Sequence, residues 1–368
     1  MPNYSVNLHI AEGLQADIEL LIQTMSVYTE DMPEYLQKAL ERMGCTVIVD
    51  KHDNVIGYKG DKINAPLLIA HTDTVFNDPP WSLHVLNKYL VGFDDAMKQC
   101  GIGADDRAGV AAILQVIPYL DDVTVLFPAL EEAGCIGSKN LDIDMIQDSS
   151  IAIQIDRRIK STTESDAIFH TNGCNICSME FRDHIKPVLR EYGFKLQHGV
   201  YTDIGELKLN GLKCSALNLS AGYTREHSSG EILHIPSYER TLNLTLALIQ
   251  HCKGLSFPYK SKSEYKKHSG RRYFDDKYYD DYEFDKKKGT WVKTARRGKA
   301  TTKNSYRSWW YEDEHYADKY TPYCDDFSDE VAMVDRCDIC GNERQLFYRA
   351  QGKDICYVCR ECITAYKL

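Results

Sequence analysis

Pro66-Leu67-Leu68-Ile69-Ala70-His71-Thr72-Asp73 runs five apolar residues straight into an imidazole, a hydroxyl and a carboxylate. A strand that is apolar at successive positions, rather than at alternate ones, has to be covered on both faces. Residues 124–129, 151–155 and 215–219 share that character. Shorter β-rich stretches at 46–49 and 55–59 flank an Asp53-Asn54 turn. Helical patterning covers residues 18–28, then 34–43, which stops at Gly44, then the Ala-, Val-, Ile- and Leu-rich 106–120. Alternating β and α elements predict an α/β fold, a doubly wound, mixed but mainly parallel sheet covered by helices. Such a sheet gathers ligands beyond the carboxyl ends of its strands, and the polar residues of this half cluster there.

Composition narrows the class. With 43% hydrophobic and 27% charged residues among 368, the chain is not collagen-like, wholly disordered or membrane-dominated. No apolar run approaches the roughly 20 residues that span a bilayer. The first residues lack the basic flank and apolar core of a secretion signal, so the cytoplasm is the expected location. The net charge of −10 is unevenly spread: residues 253–310 carry 17 Lys/Arg against 7 Asp/Glu, and residues 311–368 carry 7 against 13. Residues 1–252 are therefore strongly acidic and poorly suited to nucleic acid. Tyr, Lys, Asp and Ser displace any sustained apolar period over residues 256–330, as in Lys286-Lys287-Lys288-Gly289. The predicted organisation is a large α/β domain over 1–252, a basic Tyr-rich linker over 253–330, partly disordered or folded on a partner, and a small Cys-rich module over 331–368.

His71 and Asp73 stand two apart at a strand terminus, where a carboxylate can hold one ring nitrogen while the other faces a site. His-x-Asp alone is common and more often structural. Gly101-Ile102-Gly103-Ala104-Asp105-Asp106-Arg107-Ala108-Gly109 places two adjacent carboxylates between a Gly-rich loop and a helix. An N-cap uses one Asp, not two. A carboxylate bridging two cations accounts for the pair better. Glu131 and Glu132 follow the strand 124–129 and should emerge at the same edge as His71. Two such groups can divide labour, one binding metal and the other serving as general base. Asp156 ends the strand 151–155, and Ser220-Ala221-Gly222-Tyr223-Thr224-Arg225-Glu226-His227-Ser228 follows 215–219. Two imidazoles with carboxylates and no thiolate favour two divalent ions, Zn²⁺, Co²⁺ or Mn²⁺, in a catalytic site.

His71-x-Asp73, Gly103-Ala104-Asp105-Asp106-Arg107, Glu131-Glu132-x-Gly134, Asp156 and His227-Ser228, in that order, resemble the co-catalytic di-zinc exopeptidases. That superfamily includes peptidase T, glutamate carboxypeptidase and the leucine and glutamyl aminopeptidases. The likeness spans residues 65–233, and Tyr201-Thr202-Asp203-Ile204-Gly205 resembles a Thr-Asp-Ala element near their site. The resemblance implies that Asp105 bridges two metals, with a cis peptide to Asp106. It implies that His71 and Asp156 complete one metal site and Glu132 and His227 the other, that Asp73 orients His71, and that Glu131 is the general base. Which glutamate takes which role rests on the resemblance alone. The implied activity is metal-dependent hydrolysis of small peptides with a metal-activated water, by an aminopeptidase. Substrate-gripping residues are not identifiable. An N-acyl-amino-acid amidohydrolase would use the same groups, and a non-catalytic scaffold whose tail binds nucleic acid or protein is the alternative of another class. Many relatives carry an inserted lid, but only 33 residues separate His71 from Asp105 and 70 separate Asp156 from His227, so none is expected here.

Cys337-Asp338-Ile339-Cys340-Gly341 and Cys356-Tyr357-Val358-Cys359-Arg360-Glu361-Cys362 predict a small zinc ribbon or treble-clef-like module. Cys337, Cys340, Cys359 and Cys362 form the expected structural zinc site, with Cys356 packing inside or replacing one of them. Cys174 and Cys177 have no second pair nearby, and with Cys45, Cys100, Cys135, Cys214 and Cys252 they are read as packing residues. Trp291, Trp309 and Trp310 in the basic linker offer stacking and charge to nucleic acid, although a solvated linker is the plainer reading. The expected partners are a small peptide substrate and a nucleic acid or protein held by residues 253–368, with no membrane.

Overall fold

Leu67, Leu68 and Ile69 expose no surface, and their side chains part to opposite sides of the sheet. Leu68 packs into one core with Val125, Ile153 and Leu217, whereas Leu67 and Ile69 pack into another with Leu126, Ala152 and Ala216. Both faces of this strand are covered, as its continuous apolar run requires. The structure, a computed structural model, describes residues 13–261 and, beyond them, the backbone of five strands: Tyr282–Asp285, Thr290–Lys293, Met333–Arg336, Glu343–Gln351 and Asp354–Cys359.

In chain order the first part comprises α1 (Ile18–Met25), α2 (Met32–Arg42), β1 (Thr46–Val49), β2 (Val55–Lys59), β3 (Leu67–Ile69), β4 (Ser82–Leu86), β5 (Tyr89–Phe93), β6 (Gln99–Cys100) and α3 (Ala104–Val116). Then come β7 (Val123–Phe127), α4 (Ile136–Asn140), β8 (Ile151–Arg157), β9 (Ser165–Thr171), β10 (Cys174–Asn175), α5 (Met179–Glu191) and β11 (Phe194–His198). The last are α6 (Asp203–Leu209), β12 (Ser215–Ser220), β13 (Tyr223–Thr224), β14 (Ile232–His234) and α7 (Ile235–His251).

A nine-stranded sheet runs β1-β2-β7-β3-β8-β12-β9-β10, with β11 beside β9. Its heart, β7-β3-β8-β12, is parallel, and Leu68 lies opposite Val125 on one side and Ile153 on the other. Antiparallel strands extend it at both margins, through β2 and β1 and through β9 and β10. A smaller antiparallel sheet runs β13-β14-β5-β4 with β6 beside β5, and its strands β4 to β6 fill the interval between His71 and Asp105 with short hairpins rather than a domain. Helix α3 is buried at nearly every position. At Gly109 it approaches β8 so closely that a Cβ would lie 2.0 Å from the Ile155 carbonyl oxygen, so only glycine fits.

Some boundaries differ from the sequence expectation. The first helix stops at Met25, and a single 3₁₀ turn, Thr29–Asp31, follows. Asp105 and Asp106, at the head of α3, have non-helical backbone angles, and at its far end α3 gives way to the 3₁₀ turn Ile117–Tyr119, where Pro118 removes a backbone donor. Strand β8 continues through Asp156 to Arg157.

The chain divides into two compact units, Met1–Val292 and Lys293–Leu368. In the second, Met333–Arg336, Glu343–Gln351 and Asp354–Cys359 form a three-stranded antiparallel sheet, with Tyr348 opposite Tyr357. Of the expected zinc site only the backbone of Cys359 is described; Cys337, Cys340 and Cys362 lie outside the described residues, as does most of the basic linker, Trp309 and Trp310 included. No described helix is long and apolar enough to cross a membrane.

Candidate active site

The loop after β3 is fixed before its side chains are. The Thr72 N–H and hydroxyl both donate to the Pro128 carbonyl, and the His71 N–H donates to Asp106 Oδ2 at 3.1 Å. The His71 ring then spans two carboxylates. Its Nδ1 lies 3.1 Å from the Asp73 carbonyl oxygen and 3.4 Å from Asp73 Oδ1, and its Nε2 lies 3.1 Å from Asp105 Oδ1. Asp156 Oδ1 stands 3.8 Å from the same Nε2. Asp73 also accepts the N–H groups of Glu131 and Glu132 at 2.9 and 3.0 Å, so it orients the glutamate loop as well as the imidazole.

The two aspartates divide the roles that the sequence left competing. Asp106 is the fully buried anchor: Oδ1 accepts the Gly109 N–H and Oδ2 the His71 N–H, capping α3 and tying it to β3. Asp105 faces the other way, across a cis peptide bond to Asp106. Its Oδ1 is directed at His71 and its Oδ2 lies 3.3 Å from His227 Nε2. Arg107 is buried beneath them and donates to Thr29 Oγ1.

Glu132 Oε1 lies 2.8 Å from His227 Nε2. Its loop is a tight turn with Leu130 at φ 58° and Cys135 at φ 56°, supported from below by Asn54. That side chain accepts the Ala129 N–H and donates to the carbonyl of Gly137. Asp156 is held on three sides: Thr202 Oγ1 and Gln154 Nε2 donate to Oδ2, and the Tyr223 hydroxyl donates to Oδ1. Asp203, next to Thr202, accepts the Ser138 hydroxyl at 2.6 Å.

His71, Asp105 and Asp156 form one group whose ligand atoms all lie within 4.8 Å of one another, and Asp105, Glu132 and His227 form a second. They share Asp105. Burial pushes the Glu131 carboxyl up to about 9 and that of Asp156 up to about 8. Asp105 and Glu132 hold His227 up to about 10. Burial opposes ionisation of Asp105, yet hydrogen bonds from His227 and His71 keep it well below the usual carboxylate range. The cluster therefore retains protons between its anions, where divalent cations would serve the same electrostatic end. Nitrogen and oxygen donors at this spacing fit a pair of such ions.

Three supporting residues were not singled out from sequence. Gln154 and Asn218 are the polar interruptions of otherwise apolar strands, which is the signal that could have found them. Glu231 is fully buried and accepts three backbone N–H groups from the Asp105 loop, and no periodic pattern marks it.

Two such groups, sharing one carboxylate near the carboxyl ends of a mixed α/β sheet, are the arrangement that a two-metal hydrolase requires. Residues 93–244 match the family model of the M42 glutamyl aminopeptidases, a span that includes Asp105, Glu131, Glu132, Asp156 and His227. No curated protein matches by sequence. Among solved structures the chain resembles aminopeptidase PepT from Bacillus cereus, with a TM-score of 0.53 and 14% identity over 64% of this chain and 97% of that one. It also resembles a tripeptidase from Staphylococcus aureus, with a TM-score of 0.51 and 13% identity over 63% of this chain and 98% of that one. The TET1 peptidase of Pyrococcus horikoshii gives a TM-score of 0.51 and 19% identity over 64% of this chain and 99% of that one. Over residues 93–244 the chain is therefore similar to the M42 glutamyl aminopeptidases, and it shares the fold of these solved peptidases.

Proposed function

We propose that this protein is a metallopeptidase, an aminopeptidase that releases N-terminal residues from small peptides. The observation that carries the reading is the position of Asp105, whose two oxygens face the Nε2 atoms of His71 and His227 at 3.1 and 3.3 Å. His71, Asp105 and Asp156 would hold one divalent ion, and Asp105, Glu132 and His227 the other. Bound there, the ions, zinc by preference with cobalt or manganese also suited, supply Lewis acidity that lowers the pKa of water from 15.7 towards about 7. Glu131 accepts the proton of the attacking water and returns it to the leaving amine. Glu131 forms a third close group with His71 and Glu132, but it is Glu132 that meets His227, which leaves Glu131 free to act as the base. Asp73 keeps the His71 ring and the Glu131 backbone in register.

Incubation with Zn²⁺, Co²⁺ or Mn²⁺ and a panel of unblocked, N-acylated and C-terminally blocked dipeptides tests the proposal. Cleavage is expected only where the N-terminus is free; activity confined to N-acylated substrates would overturn the aminopeptidase assignment in favour of a deacylase. The same proposal places the protein in the cytoplasm, with a structural zinc on Cys337, Cys340, Cys359 and Cys362. It keeps residues 253–330 as a linker between domains 1–252 and 331–368. Cys337→Ser should then lose a single zinc equivalent without loss of peptidase activity. The basic segment is assigned to docking a nucleic acid or an acidic protein, which salt-sensitive binding would reveal.

A further inference from the structure

Glu231 exposes no surface and takes no part in the proton transfers above. Its Oε2 accepts the N–H groups of Ile102 at 3.0 Å and Gly103 at 2.7 Å, and its Oε1 accepts that of Asp105 at 3.1 Å. Charge-assisted bonds of this kind are about twice as strong as neutral ones, and here they join segments more than a hundred residues apart. The loop that carries Glu231 also carries His227. Within it the Glu231 N–H donates to the Ser228 carbonyl, and Arg225 and His227 adopt φ angles of 58° and 61°. Side-chain-bearing residues keep such angles only where their surroundings impose them. Glu231 is thus the joint between the loop of Asp105 and the loop of His227.

We propose that Glu231 is a positioning residue that sets the separation of the two metal positions, by clamping the backbone of the Asp105 loop to the loop of His227. The proposal rests on the reading of Asp105 and His227 as ligands. A glutamine has the same shape but replaces one acceptor oxygen with a donor, so at least one of the three N–H groups would face an NH₂. An aspartate keeps the charge but is one methylene too short to reach all three. Partners of this kind are worth about 10- to 100-fold in metal affinity.

The test titrates metal-free wild type, Glu231→Gln and Glu231→Asp with Co²⁺, followed by calorimetry and visible absorption. The magnetic coupling of the loaded pair is read by electron paramagnetic resonance. Wild type should take up a coupled pair of ions. Both variants should bind the pair about 10- to 100-fold more weakly, with altered coupling. Unchanged affinity and coupling in either folded variant would overturn the proposal, and so would a lower melting temperature of the metal-free protein with unchanged coupling, since that marks a merely structural role. If Glu231→Gln fails to fold, Glu231→Asp decides by the same readouts. A wild type that binds no pair refutes the di-metal reading itself, so the two failures are distinguishable.

Discussion

Replacing Gly109 by alanine tests whether the contact of α3 with β8 sets the ligand geometry. A Cβ built there would lie 2.0 Å from the Ile155 carbonyl oxygen and 2.4 Å from Asp106 Oδ1, whereas ordinary contacts begin near 3.4 Å. Helix and strand must therefore separate by about 1.4 Å, or the Asp106 anchor must swing away. In an exposed helix the same change would stabilise by about 0.8–1.0 kcal/mol. Overpacking of a filled core costs about 1–3 kcal/mol, and here the obstacle is backbone, which cannot rotate aside. The net expectation is a loss of about 1–3 kcal/mol, which in a unit of this size lowers the melting temperature by roughly 2–12 °C. Ile155 precedes Asp156 and Gly109 follows Asp105 by four residues, so the displacement passes into both ligand groups. A shift of about 1 Å can cost about 100-fold in rate. Thermal melts with and without zinc, together with kcat on an unblocked dipeptide, measure both effects. A melting temperature equal to or above that of wild type, with undiminished kcat, would refute the reasoning.

Glu131→Gln should cut kcat by about 100- to 10,000-fold while metal content stays that of wild type; loss of metal would reassign Glu131 as a ligand. Asn54→Ala strips partners from the Ala129 N–H and the Gly137 carbonyl, at about 1–3 kcal/mol for each buried group left unpaired, so a urea midpoint shift worth roughly 2–6 kcal/mol is expected. Chelation of divalent ions should lower the melting temperature, ions at a thousand times their Kd being worth about 4.1 kcal/mol. Their return should release protons, because the Asp156 carboxyl is pushed up to about 8 by burial and must ionise to bind. Calorimetry in buffers of different ionisation enthalpy detects that release. Burial, with Arg240 and Lys88, holds the His234 imidazole down to about 4, so it folds neutral. Its contribution is complete above the unfolded value near 6.5 and is lost as the pH falls through 4, so His234→Asn should flatten the stability profile in that window.

The parallel heart was legible because β3, β7 and the first stretch of β8 are apolar at nearly every position and β12 carries Ala216, Leu217 and Leu219, a pattern that suits strands covered on both faces. The margins were not. β11, Phe194–His198, buries only Phe194, and β4 and β6 are short and largely half-buried, so their pattern is diluted by turn residues. His71, Glu131, Glu132 and Asp156 were legible because they lie at or just beyond the ends of such strands, whereas Asp105 opens α3 and His227 sits in the loop after β13, so only their local motifs marked them. The supports were harder to see. Asn54 reads as a turn residue, although the left-handed position there is Asp53, at φ 62°, and Asn54 points its amide into the core. Glu231 reads as solvated charge, and only the three-dimensional approach of the Asp105 loop gives it partners.

The acidic residues of this site fall into two kinds, and the difference is electrostatic. Asp105, Asp156, Glu131 and Glu132 direct their carboxylates at the centre, where they repel one another unless protons or cations intervene. Asp73, Asp106 and Glu231 give theirs to backbone N–H groups, and in each case at least one of those groups belongs to a different loop. Glu231 holds the Asp105 loop, Asp106 holds His71, and Asp73 holds Glu131 and Glu132. The contact between Glu132 and His227 returns the chain of attachments to the loop that carries Glu231. No loop is therefore positioned by its own residues alone. An anchor removed at any point frees the loop ahead of it, and the repulsion among the inward carboxylates acts on that loop first. Metal affinity should accordingly fail by steps that follow this order, and substitutions of adjacent anchors should combine non-additively.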